Sequence, residues 1–392
     1  MSLADALVAR GHEVVLWSSA FYHQEKRHRA RRFTRIELSR SFSIHLVPST
    51  GYRRNIGIGR LVDHAVLGLN LHRILETMRF DPPDVAFVGY PPIESAFVME
   101  RWLRKHGVPV MVDAKDQWPD IFVEPIPRPL RLVGRLMLAP YFMLSRSTFA
   151  NATAFCSMSD DFITWMCGVA GRQRRDVDYA APLTAEPMTA SEGELDAARL
   201  WWASQGVDLS SRARVSFVGS FTASFDFRMI RDLAARCLSD GISCQFVVCG
   251  DGDQAPAVRA LLSGLPNVIL PGWIDRPKIK TLYDSTAAIV APYRSNDAFD
   301  RSVPNKIVDA LAAGLGVVAS LDGVTARLVD RYRLGKTSPS AEILYKELVR
   351  IVEDQQYRDS VHAAALSVYE QHFSFHAVYD GLARRVESLR CP

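Results

Sequence analysis

The sequence predicts an α/β protein of two domains, each a mostly parallel sheet covered by helices in the doubly wound manner. Three observations carry this. The chain has 392 residues, too many for one ordinary hydrophobic core. Short apolar runs of strand length alternate with stretches of helical period along most of it, as parallel sheets with helical crossovers require. One stretch near the middle breaks the alternation, and a regular series restarts after it.

The elements follow in order. Residues 2–10 (SLADALVAR) place Leu3, Ala6 and Leu7 on one helical face, and Gly11 closes the helix. Residues 13–18 (EVVLWS) read as a buried strand, as do 84–88 (DVAFV) before the Gly89-Tyr90-Pro91-Pro92 loop, and 109–113 (PVMVD); residues 93–106 between them are helical. A doubly wound domain normally opens with a strand, and this chain opens with the helix that follows one. The first strand of the N-terminal domain, central in such a sheet, is therefore expected to be missing. The break lies at 181–211, where Pro182, Pro187, Ser191 and Gly193 interrupt the pattern before a short helix carrying Trp201-Trp202. The expected domains are 1–185 and 212–373, joined by a linker at 186–211, with a C-terminal helix of about 374–392 packing back on the first domain. In the second domain, strands are expected at 214–219, 245–250, 267–271, 287–291 and 316–320. Helices are expected at 229–240, 257–264, 278–285, 305–313 and from 341 onward.

Composition narrows the function. An apolar share of 48% leaves ample material for two cores and argues against disorder. The net charge of +4 is uneven: residues 1–150 carry 21 Lys and Arg against 14 Asp and Glu, and the remainder is slightly acidic. A basic first half suits an anionic membrane surface or a phosphorylated acceptor, and equally a well-solvated surface. Six cysteines show no zinc-type pairing and read as reduced core thiols of a cytosolic protein. No secretory signal and no uncharged apolar run of about 18 residues is visible, so a soluble or peripheral protein is expected. No basic stripe with interleaved aromatics suggests nucleic acid.

The chemistry gathers at the carboxyl ends of the second domain's strands, where ligands bind in parallel sheets. Gly219-Ser220-Phe221 follows its first strand, Gly250-Asp251-Gly252-Asp253 its second, and Gly272-Trp273 its third. Residues 293–303 (YRSNDAFDRSV) follow the fourth and lead into a helix beginning at Pro304, a favoured first-turn residue. The N–H groups of Ser302, Val303 and Asn305 at such a helix start can hold phosphate. Arg294, Arg301 and Lys306 add positive charge, and Asn305 and Asp309, four apart, share a helical face. The alternative for this segment is an ordinary helix start with a polar face. Asp251-Gly252-Asp253 reads as a tight turn rather than a metal site.

These residues carry a resemblance. The run FVGSF, VVCGDGD, NVILPGWID, APY and SVPNKIVDALAAG between Phe217 and Gly314 resembles the donor domain of family-4-type retaining glycosyltransferases of the GT-B fold. Within them it is most similar to the bacterial fucosaminyltransferase-like subgroup of O-antigen and capsule synthesis. LADALVARGHEVVLWSSAF, KRHRARR, GYRRN and VDAKDQWPDIF resemble that subgroup's acceptor domain. The resemblance implies two Rossmann-like domains facing a cleft. It also implies a nucleotide diphosphate sugar, a UDP-sugar by preference, as co-substrate, with no other cofactor and no required metal. The base would lie near Gly250, Gly252 and the backbone of Trp273 and Ile274. The diphosphate would lie at Gly219-Ser220 and Ser302–Asn305, and the ribose at Asp309. Phe221, Tyr293, Arg294 and Pro304 complete the expected donor set. The family's paired acids would fall at 301 and 309, and here they are Arg301, with Asp300 beside it, and Asp309. The basic pair that often follows the first donor-domain strand is absent, leaving Arg228, Arg301 or Lys306 to neutralise the diphosphate.

In the first domain Asp116, within AKDQWPD, is the candidate cleft-facing catalytic residue, with Lys115, Trp118 and Asp120 nearby. Capping of the next turn is the competing role for Asp113 and Asp116. His12 is read as covering a helix end. Residues 128–146 (RPLRLVGRLMLAPYFMLSR) are apolar with flanking arginines, which suits either a membrane interface or a core helix. The expected enzyme thus carries Asp116, Arg301, Lys306 and Asp309 as catalytic residues. It acts in the cytoplasm, with peripheral contact to the inner membrane face, on a lipid-linked or saccharide acceptor. A catalytically silent sugar-nucleotide-binding subunit and a nucleotide-sugar 2-epimerase are the alternatives, and the sequence shows no acid/base cluster of the kind an epimerase needs.

Overall fold

The computed structural model describes residues 3–53, 57–124, 126–185, 188–211, 213–294 and 297–390. Two compact units result, one of Met1–Ala181 with Tyr379–Pro392, the other of Pro182–Val378.

In the first unit, helix α1 (Leu3–Ala9) leads through Gly11 into strand β1 (Val14–Ser19). A small antiparallel hairpin, β2 (Phe21–Tyr22) and β3 (Arg27–His28), precedes β4 (Thr34–Ser39) and β5 (Phe42–Val47). Strand β5 is central in a three-stranded sheet, parallel to β1 and antiparallel to β4. Helix α2 (Ile58–Thr77), which the sequence patterning did not bring out, turns Leu67, Leu71 and Leu75 inward. Then come β6 (Ala86–Tyr90), α3 (Ile93–Lys105), β7 (Val110–Ala114) and the short α4 (Asp120–Val123). After these follow α5 (Arg131–Met137), α6 (Ala139–Asn151), β8 (Ala154–Ser157), α7 (Asp160–Ala170) and β9 (Tyr179–Ala180). Strands β6, β7, β8 and β9 form a second, all-parallel sheet in that order.

The unit therefore holds two sheets in place of one. Strand β1 is bonded only through β5 and strand β6 only through β7, and among the described residues no strand stands between them. The consequence is visible in burial. Parallel strands covered on both faces are normally buried throughout, yet Val15 and Leu16 of β1 are 44% and 43% exposed. His12 does more than cover a helix end: its Nε2 lies 2.7 Å from Glu387 Oε1. Arg10 donates to Glu387 and Asp380 at 2.7 and 2.8 Å, which ties α1 to the C-terminal residues.

The second unit opens with α8 (Glu192–Ser204), within the stretch expected to be linker. That expectation is corrected. Ser191 is a helix cap, not a break: its side chain and Glu194 form a capping box. Trp202, fully buried, donates from Nε1 to Lys278 O and Thr281 Oγ1 at 3.0 and 3.1 Å. Strand β10 (Arg214–Val218), α9 (Arg228–Ser239), β11 (Gln245–Cys249), α10 (Ala255–Leu262) and β12 (Val268–Gly272) follow. Next are α11 (Arg276–Asp284), β13 (Ala288–Ala291), α12 (Asp297–Asp300), α13 (Asn305–Ala312) and β14 (Gly316–Ala319). The rest is α14 (Gly323–Tyr332), β15 (Gly335–Thr337), α15 (Ala341–Glu353) and α16 (Gln355–Val368), and α17 (Phe375–Glu387) begins here but belongs to the first unit from Tyr379 onward. Six strands form one parallel sheet in the order β12-β11-β10-β13-β14-β15. The order reverses between β10 and β13, the doubly wound signature. Five cysteines are buried and unpaired.

If α8 is part of this core, Trp202→Ala removes a fully buried indole and should lower unfolding free energy by about 3–5 kcal/mol. Trp201→Ala, at a half-buried ring, should cost clearly less. Urea titration of both variants compares them.

Candidate active site

Where the strand order reverses, the loops after β10 and β13 leave toward opposite faces and open a crevice at the carboxyl ends of the strands. Backbone hydrogen bonds lace these loops together. Gly219 N donates to Cys249 O at 3.0 Å and Gly250 N to Gly272 O at 2.8 Å. Phe221 N donates to Asp251 O at 2.8 Å, and Gln254 N to Phe221 O at 3.0 Å. So close an approach leaves no room for side chains. Gly219 and Gly250 adopt φ of 153° and 150°, which side chains rarely tolerate. A Cβ on Gly250 would stand 1.9 Å from Gly219 O, and one on Gly252 2.6 Å from Phe221 O.

Helix α13 starts at Asn305 behind Pro304, which provides no side-chain cap, so its first N–H groups have no partner within the helix. Lys306 runs from this helix start toward the end of β10. Its Nζ donates to Val218 O at 2.7 Å and lies 5.0 and 5.3 Å from the Phe217 and Phe225 ring centres. A Cβ on Gly219 would fall 1.6 Å from this ammonium. Burial pulls the Lys306 pKa down to about 8, with the Asp309 charge opposing. Burial likewise raises the Asp309 carboxyl, against Lys306 and Arg276. Among the described residues no carboxylate pairs with Lys306 within 4 Å.

The structure thus brings Gly219, Ser220, Gly250 and Gly252 together with Lys306 and Asp309. Other expected donor residues serve differently. The side chains of Phe221, Ile274, Tyr293 and Val303 are buried in the core, so only their backbones are available to a ligand. Ser302 is also buried, its carbonyl accepting from Thr325 Oγ1 at 3.1 Å. Trp273 is 74% exposed. Arg294 reaches back to Phe225 O at 3.4 Å, and Arg301 follows α12 half-buried. Arg228 is tied to Asp226 through Nε at 2.8 and 3.1 Å, which removes it from the candidates for a diphosphate. Asp251 accepts from Gly252 N at 2.9 Å, as a tight turn does. Among the described residues no group of three His, Cys, Asp or Glu side chains is placed to hold a metal ion.

Asp116 lies in the first unit, after β7. Partial loss of water raises its carboxyl pKa and the nearby Arg60 charge lowers it. Arg60 covers the Trp118 ring at 4.8 Å, and the His64 ring is 5.5 Å from it. Burial holds the His64 pKa down at about 4, so it is neutral at pH 7. Asp63, also buried, accepts from Thr50 Oγ1 at 3.3 Å. Lys115 Nζ pairs with the buried Asp113 at 3.0 Å. Arg60, Asp63 and His64 were missed in the sequence, although their spacing of three and four places them on one face of α2.

Comparison with known proteins gives this geometry its context. Residues 212–354 match the family described as glycosyl transferases group 1, and residues 1–180 the glycosyl transferase 4-like domain. The chain is a GT-B glycosyltransferase. Solved structures agree on the fold. A sucrose-phosphate synthase from Thermosynechococcus elongatus superposes with a TM-score of 0.66 over 99% of this chain and 91% of its own, at 14% identity. Anabaena Alr3699/HepE, in complex with UDP and glucose, gives 0.61 over 88% and 86%, at 13% identity. WaaG, a glycosyltransferase involved in lipopolysaccharide biosynthesis, gives 0.60 over 98% and 94%, at 14% identity. No curated protein matches the chain by sequence.

Two outcomes are expected of this glycosyltransferase. Gly250→Ala puts a methyl group into the Gly219 carbonyl and should cost about 2–4 kcal/mol with a lowered Tm; an unchanged Tm contradicts the geometry. The Lys306 amine gives up its proton near pH 8 when folded, but only near 10.4 when unfolded. Between those values the unfolded state binds more protons, so this group makes stability rise with pH. Denaturant titrations from pH 7 to 10.5 should show wild type gaining on Lys306→Met across that window.

Proposed function

We propose that the protein transfers a sugar, with retention at the anomeric carbon, from a UDP-sugar to a saccharide or lipid-linked acceptor in cell-surface polysaccharide synthesis. The observation that carries this is the half-buried Lys306 ammonium beneath Gly219, with a carbonyl and two aromatic rings around it and, among the described residues, no carboxylate within 4 Å. A buried cation without a counter-ion is costly, and an anion entering the crevice would supply one. The uncapped start of α13 favours the same charge. UDP bound to the related HepE fold agrees with a uridine diphosphate as that anion.

The residue roles in this reading are those that the family resemblance implies. Ser220, the start of α13 and Lys306 hold the diphosphate, with Arg294 and Arg301 contributing longer-range positive charge. Ser302, Val303 and Pro304 shape the approach to the helix start. Gly250, Gly252 and the Trp273-Ile274 backbone bound the base, and Asp309 takes a hydroxyl of the ribose or the sugar. In the reaction the bond from the anomeric carbon to the diphosphate oxygen breaks, and a bond to the acceptor oxygen forms on the same face. The acceptor's proton leaves with the departing diphosphate. Lys306 stabilises the charge that develops there, usually the largest single catalytic effect. No metal ion takes part. Asp116, on the first unit, orients the acceptor hydroxyl.

Thermal shift against UDP-, GDP- and dTDP-sugars identifies the donor, and the UDP compounds should raise Tm most. Lys306→Met should weaken UDP binding at least about tenfold in calorimetry, the value of a charged hydrogen bond. Asp309→Ala should abolish transfer. UDP affinity unchanged in Lys306→Met would remove the basis of this reading.

A further inference from the structure

Helix α5 inverts the usual pattern of a globular surface, and the start of α6 adds one exposed apolar side chain to it. A helix on a water-soluble domain turns its apolar stripe inward. Here Leu132, Val133, Leu136 and Met137 of α5 are 69%, 53%, 67% and 78% exposed, as are Leu130 before it (55%) and Met143 of α6 (71%). The residue that faces inward is Gly134, against which the Ile126 side chain packs so tightly that a Cβ would lie 2.5 Å from Ile126 Cδ1. Exposed apolar patches of this kind mark interaction sites.

The charge around the patch is mostly positive. Residues 126–151 contain four arginines and no Asp or Glu. Arg131 spends its donors on the Ile126 and Glu124 carbonyls at 3.0 and 2.8 Å, neutral partners that leave its charge uncompensated. Arg135 donates to Asp120 at 3.3 Å, an ion pair, and lies 5.4 Å from the Phe142 ring centre. Arg128 and Arg146 are exposed, and among the described residues neither pairs with a carboxylate.

We propose that this surface, α5 with the segment before it and the start of α6, docks the protein onto a bilayer containing anionic lipid. Leucine and methionine side chains lying between arginines fit the boundary of headgroup and acyl chain. There the apolar groups enter the hydrocarbon edge and the guanidinium groups stay at the phosphates. The contact lies in the membrane plane; among the described residues no helix is long and apolar enough to cross. The inference does not depend on the sugar chemistry of the second unit. It would hold an enzyme at the surface where a lipid-linked acceptor resides.

Sedimentation of the full chain with sucrose-loaded vesicles tests it. Wild type should bind phosphatidylcholine vesicles containing phosphatidylglycerol, bind pure phosphatidylcholine weakly, and be released by high salt. The L132E/L136E double variant, changed at two largely exposed positions, should keep its Tm and its UDP affinity while its partition falls at least about tenfold. R128Q/R146Q should reduce the preference for phosphatidylglycerol. Equal partition of wild type and L132E/L136E, or wild type left unbound by phosphatidylglycerol vesicles, overturns the proposal. So does a dimer in solution that L132E/L136E separates, since a second copy then covers the patch. Loss of UDP binding in an otherwise vesicle-bound protein would bear on the donor site alone.

Discussion

The absence of side chains at Gly219, Gly250 and Gly252 is the constraint on which the rest of the second unit depends. It lets the loops after β10, β11 and β12 bond to one another directly through their backbones. Those bonds fix a crevice floor made of peptide groups. Phe221 completes the arrangement from below: its ring is buried against Phe227 at 5.1 Å, while its N–H and carbonyl join two strands' loops. A floor of this kind is rigid before any ligand arrives, as a preorganised binding site requires.

Lys306 turns that floor into a charged site. The sequence lacks the basic pair expected after the first donor-domain strand, and Arg228, the nearest substitute by position, is held by Asp226. The structure brings an ammonium to the same strand end from the opposite side of the switch point, along α13. Burial weakens its hold on the proton, and Asp309 restores part of it. An anion above Gly219 would do the same more strongly.

Much of this was legible in the residues. The second unit's strands run mostly as short apolar stretches, the first three ending at Gly219, Gly250 and Gly272, and a parallel sheet buried on both faces reads as such apolar runs. The Pro304-Asn305-Lys306 step marked the helix start because proline is favoured at the opening of a helix. What the sequence did not disclose was longer in range. Which side chains of the donor loops enter the core could not be read from their positions, and so Phe221, Ile274 and Tyr293 stood beside exposed residues in the expected set. The break at 186–211 was read from its Pro, Ser and Gly residues. Tertiary burial of Trp202 against α11 outweighed those local signals and made the stretch part of the core. Helix α2 escaped because polar Asp63 and His64 lie on its inner face, which blurs the apolar stripe by which helices are recognised.

The first unit presents less chemistry and more surface. Its half-buried Arg60 lies over the buried Trp118 ring, with buried His64 beside it and Asp116 nearby, and the apolar side chains of α5 face outward. The account as a whole stands or falls on where a donor diphosphate sits. A crystal structure of the protein soaked with UDP decides that most directly. The account predicts the diphosphate oxygens within hydrogen-bond distance of Lys306 Nζ and of the backbone N–H groups at Ser220 or Asn305. UDP seated elsewhere, with Lys306 still donating to Val218 alone, would contradict it.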